Sequence, residues 1–227
     1  AQAGRYELIK GQGVEVCEAY QKNLNASNPA EPMLCEREIN PQFKNFAKPD
    51  WKEIDLAKNK RLLWSVFSVF HPTVAAQTPI PISDEDMDRA IAKWMNLRSQ
   101  RLYQAQANID NDGRMENVLL YNDGICGLAQ FAYASPLLVR RDSESEVDRK
   151  KTDLLLQNTW RDPQTGEVKR DIAYYNFNTY GIFQYKNATY FDKIDAHSDE
   201  RDKLYVYRAS SNRTTQMCEY RFVDNGK

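Results

Sequence analysis

The stretch Tyr103-Gln104-Ala105-Gln106-Ala107-Asn108-Ile109-Asp110-Asn111-Asp112-Gly113-Arg114-Met115-Glu116-Asn117-Val118 decides the fold. Tyr103, Ala105, Ala107 and Ile109 alternate with Gln104 and Gln106, the period-two pattern of a strand with one buried face. Val118–Tyr121 resumes a strand beyond the acidic segment, so residues 108–116 read as a strand-to-strand connection.

That connection carries the most specific chemistry in the chain. Oxygen-bearing side chains stand at alternate positions, followed by a glycine and then a carboxylate. Calcium takes six to eight oxygens, and a short loop supplies several of them only by curling tightly. Asn108, Asp110 and Asp112 are the candidate side-chain ligands, Arg114 would offer its carbonyl, and Glu116 would bind directly or through water. Gly113 permits the bend. Asn in place of Asp at the first position removes a charge, and Leu119 stands where an EF-hand has its bidentate Glu. The expectation is a weak, structural Ca²⁺ site outside the EF-hand class, with Kd on the order of 10⁻⁴–10⁻³ M. The alternative is an Asp/Asn-rich turn whose side chains bond their own backbone and hold no ion.

Outward from the loop, Ser83 reads as a helix N-cap, with Asp84, Glu85 and Asp86 at the positive end of the dipole. Met87, Ile91, Trp94 and Met95 then share a face. Val14–Leu24 supports a short amphipathic helix carrying Val16, Tyr20 and Leu24, and Trp51–Leu63 has helical spacing. Leu62–Phe70 is a core strand or helix, and Pro72–Pro81 a linker. Asn122-Asp123-Gly124 suggests a turn, as does Lys186-Asn187 between two strands. Leu204–Ala209 and Met217–Val223 suggest a further hairpin, and Arg140–Lys151 a solvated charged surface. The expected fold is α+β: a helical, irregular N-terminal region packed on a mainly antiparallel, tyrosine-rich β-sheet. One domain spans 1–227, with 1–82 interrupted by prolines and 83–227 a helix followed by mainly β structure.

Composition bounds the function. Thirty-one Lys and Arg against 32 Asp and Glu give a net charge of −1, which argues against the basic stripe that nucleic acid requires. No apolar run approaches the roughly 20 residues of a transmembrane helix. The chain starts at Ala1 without Met, as a processed exported chain would. Cys17, Cys35, Cys126 and Cys218 lack metal-ligand spacing. The favoured pairing is Cys17–Cys35 with Cys126–Cys218, in a periplasmic or secreted protein; the alternative is four buried thiols.

The segment Tyr103–Gly127, through Asn108–Glu116, resembles the FG-GAP/VCBS-type acidic loop of bacterial exported proteins. Val16-Cys17, Tyr20, Pro32, Cys35, Arg37, Pro49 and Trp51 resemble leading segments of proteobacterial periplasmic or lipoprotein-type chains. Some of those look like immunity proteins encoded beside secreted antibacterial effectors, including lipase effectors of the type VI system. The resemblance implies a periplasmic binding protein, with a lipid anchor in the precursor as one form of export.

Only His71 and His197 are available as imidazoles, and no nucleophile elbow or phosphate loop is present. The expected activity is therefore binding: an inhibitor or immunity protein whose partner is another protein, such as a secreted effector enzyme. Tyr174, Tyr175, Phe177, Tyr180, Phe183, Tyr185 and Tyr190, with Phe191 beside them, are the candidate partner surface, one aromatic face packing the core and the other meeting the partner. A tyrosine-rich sheet without a partner is the alternative. A calcium-stabilised envelope protein, or a hydrolase with an unrecognised carboxylate pair, remain as other functions.

Overall fold

A computed structural model describes residues 4–35, 37–70, 75, 82–94, 100–123, 133–156, 159–161, 168–170, 178–195, 201–210 and 213–224. The protein is α+β and dominated by a sheet curled into a half-barrel. In chain order the strands are β1 (Arg5–Lys10), β2 (Phe46–Ala47), β3 (Lys52–Glu53), β4 (Arg101–Ala107), β5 (Glu116–Asp123), β6 (Tyr133–Leu138), β7 (Thr159–Arg161), β8 (Val168–Arg170), β9 (Asn178–Tyr185), β10 (Ala188–Asp195), β11 (Lys203–Ser210) and β12 (Arg213–Val223). The helices are α1 (Glu15–Asn25), α2 (Lys60–Phe70), α3 (Asp84–Trp94) and α4 (Arg149–Leu156).

The large sheet has the order β1-β12-β11-β10-β9-β6-β5-β4-β3, with β2 also pairing β9; β7 and β8 form a separate ribbon. All pairs in the large sheet are antiparallel except β6 with β9, which meet in parallel at Ala134 and Thr179. The irregular N-terminal region is woven into this sheet. It supplies β1 at one edge, β3 at the other and β2 against β9.

Several local readings hold. Ser83 caps α3, its hydroxyl accepting the Asp86 N–H at 3.1 Å, and Met87 and Ile91 are buried. Lys186 and Asn187 adopt φ of 47° and 66°, the paired left-handed geometry of a two-residue hairpin turn. Others shift. The helix expected over 51–63 starts at Lys60, because Lys52–Glu53 forms a short strand on β4. The apolar run 62–70 is helical, and α2 buries Leu62, Leu63, Val66, Phe67, Val69 and Phe70. Of the turn expected at Asn122-Asp123-Gly124, the first two residues stay in β5 and pair with Ala134 and Tyr133, and Gly124 lies outside the described residues. Most of the Pro72–Pro81 segment, His71 and His197 lie outside the described residues.

Two cores lie on opposite faces of the central strands. On β9, Tyr180 and Ile182 join the cluster under α2 and α3, while Phe183 and Tyr185 join the cluster under α1. The ring of Tyr20 stacks on Phe183 at 4.4 Å, and Phe183 on Tyr190 at 5.6 Å. This overturns the expected aromatic partner surface at Tyr180, Phe183, Tyr185, Tyr190 and Phe191, all of which are buried. The physical reason is that helices cover the sheet on both sides, so alternation selects between two cores instead of between core and solvent. Tyr174, Tyr175 and Phe177 lie outside the described residues.

The cysteine pairing also differs. Cys17 on α1 bonds Cys218 on β12, across 201 residues, in place of Cys17–Cys35 and Cys126–Cys218. Cys17 is held over the strand by packing, and the Tyr220 hydroxyl donates to the Cys17 carbonyl at 2.9 Å. Closeness in sequence was the wrong guide to closeness in space. Cys35 is disulfide-bonded too, and Cys126 lies outside the described residues. On a chain-entropy view a loop of that length stabilises by about 5 kcal/mol. No helix among the described residues is long and apolar enough to cross a membrane.

Candidate functional site

The acidic segment forms the turn between β4 and β5. Asn111 and Gly113 take positive φ, 57° and 90°, conformations that Asn tolerates and Gly adopts freely. The two left-handed residues curl the turn and bring Asp110, Asp112 and Glu116 together, with one carboxylate oxygen from each within 4.8 Å of the others. Asp110 and Glu116 are buried, while Asp112 is partly so. This triad can hold a metal ion. Asn108 uses its side-chain oxygen to accept the Gly113 N–H at 3.2 Å. The Arg114 guanidinium pairs with Asp112.

The turn also bonds itself, in the manner of an Asp/Asn-rich turn. Glu116 Oε2 accepts the Ile109 N–H at 3.1 Å, Asp110 accepts that of Asp112 at 3.3 Å, and Asp112 accepts that of Arg114 at 2.8 Å. The two readings of the sequence thus describe one object: backbone bonding shapes the turn, and the remaining oxygens converge.

Three side chains of the protein bring positive charge to those oxygens. Lys151 Nζ lies 2.8 Å from Asp110 and 3.1 Å from Glu116, and Arg141 lies 2.7 Å from Glu116 and 3.6 Å from Asp112. Arg114 completes the set on Asp112. Burial works against the Lys151 ammonium, yet its bonds to Asp110 and Glu116 prevail and hold its pKa above the ordinary value. Arg114 holds the Asp112 carboxyl down to about 2. Any metal entering the triad must compete with Lys151 for the same oxygens.

The chain builds this cover locally. Asp148 caps α4, accepting the Lys151 N–H at 2.9 Å, and Thr152 receives the Leu138 N–H from β6 at 3.0 Å. Those contacts aim Lys151 at the turn. Arg141 follows β6, where the Val139–Val147 bridge folds residues 140–146 back on themselves. Arg140–Lys151 is therefore more than a solvated surface. The sequence reading missed Arg141 and Lys151 because a charge run does not reveal which member meets a buried partner.

Asn111 fixes the turn to the far half of the sheet. Its carboxamide donates to the Thr189 carbonyl at 3.0 Å and the Ala209 carbonyl at 2.9 Å, and accepts the Thr189 N–H at 2.8 Å. Strands β10 and β11 pair from Phe191–Tyr207 to Lys193–Tyr205. Extended by two residues, that register would set Thr189 against Ala209. Asn111 bonds both strands there and so fastens the turn across the curl of the half-barrel.

A second charged cluster is wholly buried. Arg37 and Asp192 pair at 2.6 Å with side chains 1% exposed, Gly181 N–H donates to Asp192 at 2.7 Å, and the Tyr20 hydroxyl donates to the same carboxylate. Arg37 also donates to the carbonyls of Met33 and Cys35, tying that segment to the sheet. A Cβ on Gly181 would lie 2.8 Å from the Asp192 carboxylate, so the absent side chain makes room for the ion pair. Nothing in the local sequence marks residues 155 positions apart as a pair.

No protein-family model, curated protein or solved structure matches the chain.

Proposed function

We propose that the chain is an extracytoplasmic binding protein of the inhibitor or immunity type, which recognises and blocks another protein such as a secreted effector enzyme. The observation that carries this reading is Met115, which is 56% exposed at the turn. Its neighbours on both sides are held by ion pairs, and Asn111 fastens the same turn to two strands. A large apolar side chain presented on a braced turn suits a protein interface, because little mobility is lost when a partner covers it. The disulfide fits an oxidising compartment. The buried carboxylates of Asp192 and Glu116 are engaged by Arg37, Lys151 and Arg141, an arrangement that suits bracing more than proton transfer.

We assign Ca²⁺ as the ion the triad would take. The oxygen-only donor set and the mixture of buried and partly exposed carboxylates suit a hard cation. Its role is to brace the β4–β5 turn, and competition from Lys151 makes it weak.

The test is capture from the envelope and secreted fractions of the source cells with the purified chain, followed by titration of the chain into the activity of whatever is recovered. Stoichiometric inhibition of a recovered enzyme supports the reading. Recovery of no inhibited protein, together with turnover of a substrate by the chain itself, rejects it.

A further inference from the structure

An open depression of about 440 Å³ lies beside the acidic turn, lined by Gln106, Met115, Asn117, Arg141, Ser143 and Glu144 among others. Arg114 and Arg140 also line it, but their forks are engaged, by Asp112 and by Asp142 with Glu146. Arg141 differs. It gives one terminal nitrogen to Glu116, and its Nε and other terminal nitrogen have no partner among the described residues. The side chain is half exposed while the Glu116 side chain beneath it is 2% exposed. A buried carboxylate thus anchors a guanidinium whose remaining donors are open, a presentation suited to a planar acceptor.

We propose that this depression is the docking surface for the partner protein, taking one Asp or Glu side chain of the partner on Arg141 and a neighbouring apolar side chain against Met115. This rests on the reading of the chain as a protein-binding protein. Charge complementarity selects the occupant: Arg141 is the guanidinium in the lining that keeps open donors beyond its bond to Glu116, which suits an anionic acceptor. Glu144, also in the lining, repels a second negative charge, which favours a single carboxylate over a polyphosphate. Met115 supplies the apolar contact that a free anion would leave uncovered.

The test follows the Met115 methyl and Arg141 Nε–H signals by NMR in the whole 227-residue chain, free of metal. The probes are an acetylated, amidated Leu-Glu-Leu peptide, its Leu-Gln-Leu analogue and inorganic phosphate. The Glu peptide is expected to shift both signals, with the Gln peptide at least about 5-fold weaker. Arg141→Lys, which keeps a cation on Glu116 but loses the fork, is expected to weaken the Glu peptide at least about 5-fold. Equal binding of the Glu and Gln peptides, equal shifts with phosphate, or no shift at all overturns the proposal. A captured partner that binds the Met115→Asp and Arg141→Lys variants as tightly as the parent chain also overturns it, while leaving the protein-binding reading intact.

Discussion

Replacing Asn111 by Ala removes three hydrogen bonds that join the acidic turn to β10 and β11. At about 0.5–1.5 kcal/mol net for each bond, their loss costs on the order of 2–4 kcal/mol. The left-handed backbone at φ 57° adds roughly 1 kcal/mol, since Ala is less at ease there than Asn. Asn111→Gly isolates the first part by relieving the backbone, and is expected to cost less than Ala. Asn111→Asp is nearly isosteric but places carboxylate oxygen against the carbonyls of Thr189 and Ala209, so it is expected to be at least as harmful as Ala. Urea unfolding at neutral pH measures all three, and hydrogen exchange at the Thr189 amide localises the effect. A cost below about 0.5 kcal/mol for Ala, or an Asp variant as stable as the parent, would refute the fastening role.

Other outcomes follow from the remaining charged groups. Lys151→Gln removes the competitor for the triad, so calorimetry is expected to show Ca²⁺ binding tightened about 10-fold or more, with lower stability in chelator. Asp192→Asn leaves Arg37 buried without its counter-charge and is expected to cost about 3–5 kcal/mol in denaturant unfolding. Burial pushes the Tyr6 and Tyr207 hydroxyls up to about 12 from an ordinary 10. Their contribution is complete below pH 10 and is lost as pH rises towards 12, so an alkaline melting series should lose roughly 2–3 kcal/mol per tyrosine. The Asp112 carboxyl, held down to about 2, stabilises above its ordinary 3.8, and that contribution fades as pH falls from 4 towards 2.

What could be read in the sequence was local. The Ser83 cap, the Lys186-Asn187 turn and the strands flanking 108–116 all declare themselves within a few residues, because capping, left-handed turn geometry and period-two alternation act over that distance. The converging carboxylates were legible for the same reason. Their counter-ions were not, since Lys151 and Arg141 reach the turn through α4 and the fold-back after β6. Sequence separation likewise hid Arg37–Asp192 and Cys17–Cys218. The tyrosines of β9 and β10 misled because alternation gives the face of a strand without saying whether that face meets water or a second core.

The most direct test of the central claim, that the chain itself holds the acidic turn and presents Met115, is amide hydrogen exchange over residues 108–117 in metal-free buffer. Ile109, Gly113 and Arg114 donate to oxygens of the turn, so their amides should be protected without calcium, and saturating Ca²⁺ should slow them only modestly further. Exchange of those amides at the rate of an unstructured peptide, with protection appearing only on calcium addition, would contradict it.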